Sequence, residues 1–186
     1  MSTKVRTKTK ATIEDLYHVP EHGKAELING EVVRLMPTGG IPNVAAGNIF
    51  FSLKLHERTH GGGRALTDNA GFLVNLPHRE SFSPDVAWWP GAPTMKFFDG
   101  APVFAVEVRS EGDYGELAEE KLVAKRSDYF AAGTLVVWDV DLLAEDPVRV
   151  YRASDPDHPV VYRRGETAEA EPAVPGWRFP VDELFQ

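Results

Sequence analysis

The stretch 103-VFAVEVRSEGDYGELAEEKLVAKRSDYFAAGTLVVWD-139 decides the fold. Val103–Arg109 is apolar and β-rich until Glu107, and reads as a strand. Gly115–Ala132 has the 3.6-residue period of a helix and is stopped by Gly133. Thr134–Asp139 is again an apolar strand. A strand, helix, strand unit of this length implies a parallel pair with a helix laid over it, inside a mixed sheet.

Working outward, Thr12 and Asp15 have the spacing of a capping box that opens a short helix through Leu16 and Tyr17. Lys24–Ile28 and Glu31–Met36 flank Asn29-Gly30, whose tolerance of positive φ predicts a tight hairpin. Val44–His60 places Ile49, Leu53 and His56 on one helical face, widened by Phe50 and Leu55, and ends before Gly61-Gly62-Gly63. Phe72–Leu76 alternates with period two, and Asp85–Trp89 is a short strand between Pro84 and Pro90. Val148–Tyr151 and Val160–Tyr162 predict a peripheral hairpin, with Trp177 and a C-terminal turn closing the core. The expected fold is thus mixed α/β with helices flanking the sheet, a single domain over 12–186.

Composition narrows the function. The chain has 186 residues, 42% apolar and 26% charged, which suits one domain with a full core. With no cysteine, thiolate zinc sites, iron–sulfur clusters, disulfide scaffolds and a Cys nucleophile are excluded. No apolar run approaches the roughly 18 residues that span a bilayer, and the basic start leads into no apolar stretch, so a cytoplasmic protein is expected. A net charge of −8 argues against a non-specific nucleic-acid coat. It leaves room for an enzyme that meets phosphate through a metal held by its own carboxylates. Lys4, Arg6, Lys8 and Lys10 make residues 1–11 a basic tail, read as a solvated, flexible terminus or as an arm on a phosphate backbone.

Three residues carry chemistry. Glu107 stands in a strand so apolar that its charge must be paired, with Arg109 or another base, or bound to a metal. Lys125 falls in the helical stripe of Ala118, Leu122, Tyr129 and Ala132, so its ammonium either snorkels or points at a buried carboxylate. Asp85 opens a strand from whose end it can project toward the side that Glu107 faces. Two carboxylates and a lysine on neighbouring strands and the next helix suit magnesium-dependent phosphodiester cleavage, since this hard cation needs only one or two carboxylates. The six histidines show no zinc-binding pattern, Gly61–Gly63 lacks a P-loop lysine, and a glycosidase would not require Lys125. Trp88 and Trp89 either stack on bases or fill core.

AELINGEVVRLMP, SPDVAWW, AVEVRSEGD, KRSDYFAAG, LVVWDVD and PGWRFPVDELF, spread from Ala25 to Phe185, resemble the Uma-type restriction endonucleases of bacteria, within the PD-(D/E)XK nuclease superfamily. The resemblance implies a restriction-endonuclease-like fold with a curved sheet, a magnesium site (manganese as substitute) at Asp85 and Glu107, and DNA as the substrate. It makes Lys125 the catalytic lysine, migrated from the strand position held here by Arg109, which is left an auxiliary role because arginine does not act as a base. Glu26 matches the family's early glutamate and is either a third acid or an exposed hairpin carboxylate. Asn43 stands where the family tends to carry histidine. The rival reading is an inactive nuclease-like module that binds nucleic acid or a protein. A homodimer is also expected, with Trp88, Trp89, Phe97 and Phe98 supplying contact area.

Overall fold

The computed structural model describes residues 10–19 and 23–186. Lys4, Arg6 and Lys8 of the basic tail lie outside them. The described chain runs α1 (Ile13–Tyr17), β1 (Ala25–Ile28), β2 (Glu31–Arg34), α2 (Gly40–His60), β3 (Arg64–Thr67), β4 (Phe72–Leu73), β5 (Ser81–Phe82), β6 (Val86–Trp89), β7 (Phe98–Asp99) and β8 (Phe104–Val108). It continues through α3 (Glu116–Ala131), β9 (Val136–Val140), β10 (Val148–Arg152), β11 (Asp155–Tyr162), β12 (Thr167–Glu169) and β13 (Arg178–Pro180), and ends in a 3-10 turn at Val181–Phe185.

Local chemistry explains the elements. The Thr12–Asp15 capping box forms as the spacing predicts, and Asn29 and Gly30 take φ of 53° and 72° at the β1–β2 turn. Helix α2 begins four residues before the expected Val44 and includes Pro42 in its first turn, where no amide proton is needed. Gly63 follows α2 with no room for a side chain, because a Cβ there would lie 2.3 Å from the Trp88 indole nitrogen. The alternation over Phe72–Leu76 yields a strand of only two residues. Beyond it, the amides of Val74 and Leu76 turn to the carbonyls of Glu80 and Arg79.

The main sheet has six strands in the order β11-β10-β9-β8-β6-β3. Only β8 and β9 pair in parallel, joined by α3 as the sequence predicts; every other pairing in this sheet is antiparallel. Period-two alternation divides β8 between two cores. Phe104, Val106 and Val108 pack toward Ile49 and Leu53 of α2, with Trp138, Trp177 and Phe179. Ala105 and Val137 face the other way, onto Tyr129 of α3 and onto Phe72 and Phe82.

Two expectations fail here. Trp88 is 2% exposed within the α2 core and supplies no contact area, while Trp89, Phe97 and Phe98 are half-buried, packed against Phe72 and Tyr17. Leu55 does not widen the buried face of α2; with Ile41, Val44 and Phe51 it is exposed.

Candidate active site

The end of β8 gathers the charged groups. Glu107 is the one carboxylate in β8, and register pairs it with Asp139 of β9. Its partner is not Arg109. Lys125 Nζ lies 2.8 Å from the Glu107 carboxylate, and the Tyr129 hydroxyl donates to Oε1 at 2.6 Å. Lys125 and Tyr129 are four apart on α3, hence one above the other on the face turned to the sheet. Phe82 stacks on the Tyr129 ring at 4.1 Å and fixes it from behind.

Glu26 completes this arrangement from the N-terminal hairpin. It is 2% exposed, which removes the reading of an exposed hairpin carboxylate. Its Oε1 lies 3.1 Å from Lys125 Nζ and accepts from the Ser83 amide at 3.0 Å, while Oε2 meets Arg79 at 2.6 Å. Arg79 also binds Asp128 of α3 at 2.7 Å, and His78 holds the other oxygen of Asp128 at 2.7 Å. Arg79, which is 6% exposed, therefore anchors the hairpin to the helix through two carboxylates.

Asp85 precedes β6, one strand over from β8. Its Oδ2 accepts from the Val108 amide at 2.8 Å, which seats the carboxylate beside Glu107 in the chain. Its Oδ1 lies 2.9 Å from Lys24 Nζ, and the same ammonium is 2.5 Å from Asp68.

Electrostatics follow from burial against charge. Burial disfavours the Glu26 anion, but Lys125 and Arg79 outweigh it and hold the pKa below the usual value. For Glu107 burial prevails: despite Lys125, the pKa is raised, and the neighbouring charge of Asp85 pushes the same way. Burial opposes the charged form of Lys125, yet Glu107 and Glu26 outweigh it and keep the ammonium protonated above the ordinary lysine range. Burial and then Glu107 push the Tyr129 phenol well up, so it remains a donor.

Arg109 faces the α3 side of the sheet, as its spacing from Glu107 requires, but its guanidinium is committed elsewhere. It clamps Asp139 with two bonds of 2.7 Å and also pairs with Glu119 of α3. Asn43 is exposed in the first turn of α2. His56 and His60 stack on each other at 4.4 Å, and among the described residues no three His, Asp or Glu side chains form a metal cage.

Sequence reading did not single out Lys24, Asp68, Arg79 or Asp128. Lys24 stands at the very start of the run read as the first hairpin strand, and Arg79 occupies a segment with no periodic pattern. Asp128 alone carried a signal, being three residues from Lys125 on the same helix.

The chain resembles a nuclease assigned to a domain family of unknown function, number 820, from Anabaena variabilis, whose crystal-structure description calls it putative. The TM-score is 0.73 at 18% identity, covering 94% of this chain and 97% of that one. That likeness gives this chain the restriction-endonuclease-like fold. No curated protein matches. The family model Uma2, described as "Putative restriction endonuclease", matches residues 12–182, a span holding every residue of the centre. The chain therefore belongs to the Uma2 restriction-endonuclease family.

Proposed function

We propose that the protein is a magnesium-dependent endodeoxyribonuclease whose metal ligands are Asp85 and Glu107. One observation carries the reading: Asp85 is held by the Val108 amide next to Glu107, whose carboxylate receives Lys125. The donor set fits a hard dication, because it offers carboxylate oxygens and no sulfur. The charge count fits as well. Among the described residues, Glu26, Asp68, Asp85, Glu107 and Asp128 meet Lys24, Arg79 and Lys125 together with the imidazole of His78, so the lysine and arginine charges fall two short of the carboxylates, which a dication would offset. Two carboxylates without a third suffice for magnesium, which keeps several of its waters.

A magnesium ion bound there would supply positive charge to the scissile phosphate and acidify a coordinated water. The protein's own groups do the rest. Lys125, kept cationic by Glu107 and Glu26, stabilises charge developing on the phosphate rather than acting as a base. Glu26 and Tyr129 orient Lys125 and Glu107, and Arg79 orients Glu26. Arg109 positions β9 against α3 and has no free edge to offer a phosphate.

The second reading, a nuclease-like module that binds without cutting, is favoured by the Lys24 ammonium seated on Asp85. Supercoiled plasmid separates the two. The parent should nick it with magnesium or manganese and not with chelator, and Asp85→Asn should be inert. A parent inactive with both metals at every concentration tried would leave the binding module.

A further inference from the structure

We infer that Lys24 is an internal counter-ion which a divalent cation must displace from Asp85, and that Asp68 is the anchor to which its ammonium retreats. This rests on the proposed metal reading and adds the event that precedes metal binding.

The oxygens of Asp85 are both engaged. Oδ2 takes the Val108 amide at 2.8 Å, a backbone bond that locks the carboxylate's orientation. Oδ1 is the oxygen left for a ligand role, and Lys24 Nζ lies 2.9 Å from it. A magnesium ion binds oxygen at about 2.0–2.1 Å, so it and the ammonium compete for one oxygen and repel each other across it. The Lys24 ammonium feels the charge of Glu107 as well as that of Asp85, although its direct partners are Asp85 and Asp68. Its side chain is 14% exposed, so it is no casual surface lysine.

Asp68 makes the exchange feasible. It follows β3, its side chain is 40% exposed, and it already holds the same ammonium at 2.5 Å. Giving up Asp85 therefore leaves Lys24 charged and paired on the solvent side. Before the metal arrives, Lys24 offsets the mutual repulsion of Asp85 and Glu107. Afterwards the dication does.

Two measurements test this together. Calorimetric titration with manganese chloride should give at least tenfold tighter binding to Lys24→Met than to the parent. In the parent, the rate of Lys24 acetylation, followed by peptide mass spectrometry, should rise several-fold at saturating manganese. Equal affinities of parent and variant overturn the displacement and leave the metal site standing. Tighter binding with an unchanged acetylation rate shows a through-space effect and also overturns it. Absence of binding to both proteins removes the metal reading, and the displacement with it. Because acetylation is read on the parent, a Lys24→Met chain that fails to fold leaves the test intact.

Discussion

The Tyr129 hydroxyl reaches Glu107 across 2.6 Å, from the same helical face and one turn beyond the lysine that pairs with that carboxylate. Tyr129→Phe keeps the stacking on Phe82 and removes only this donor. Hydrogen bonds to charged groups contribute about 1.5–3 kcal/mol, and urea denaturation of the variant should show a loss in that range.

Lys125→Met should do more than stop cleavage. It leaves Glu26 and Glu107 without their shared cation, and breaking a buried ion pair costs about 3–5 kcal/mol. The melting temperature should fall in chelator as well as in magnesium. An unshifted melting curve would show that the two acids find other partners.

Arg109→Met separates structure from chemistry. It leaves Asp139, which is 4% exposed, with only the more distant Arg149 at 3.9 Å among the described bases, so stability should fall by an amount approaching that for Lys125→Met. Cleavage by whatever fraction remains folded, at a temperature well below its melting point, should stay near the parental rate. A folded variant that is catalytically dead would return Arg109 to the chemistry.

Alkali should unfold the protein. Burial, reinforced by Glu107, raises the Tyr129 pKa, and burial with the bond to Asp141 raises that of Tyr114 to about 12. For Lys125, acid neighbours outweigh burial and raise the pKa too. In each case the folded state holds its proton longer than the unfolded chain does. Stability is therefore complete below about pH 10, the ordinary tyrosine value, and declines as pH rises beyond it. Denaturation midpoints between pH 8 and 11.5 should trace this, with a shallower decline in Tyr129→Phe.

Magnesium at a hundred times its dissociation constant should add about 2.7 kcal/mol. A thermal shift assay should show this gain in the parent and lose it in Asp85→Asn. A shift of equal size in both would place the ion elsewhere.

The β8–α3–β9 unit was legible because local pattern and tertiary role coincide there: apolar strands are buried on both faces, and α3 has one covered stripe. Glu107 and Lys125 were legible for the same reason, as charges where the pattern demands none. Lys24 and Arg79 were not. Each lies just outside a strand, and its partners are distant in sequence: Asp85 lies 61 residues from Lys24, and Glu26 and Asp128 lie 53 and 49 residues from Arg79. Short strands such as β5 and β7 escaped too, because two residues carry no measurable period.

The hairpin that supplies Glu26 leaves the ribosome long before α3 does. Until α3 has emerged, Glu26 has no Lys125, and Lys24 has neither Asp68 nor Asp85 until those have followed it. Glu107, Lys125 and Tyr129 meet within one strand–helix unit, but the hairpin's groups must wait for partners far along the chain, so closure of the whole centre comes after the loop-closure entropy of the long intervening segments has been overcome. A chain released before Tyr129 carries scattered charges and no centre.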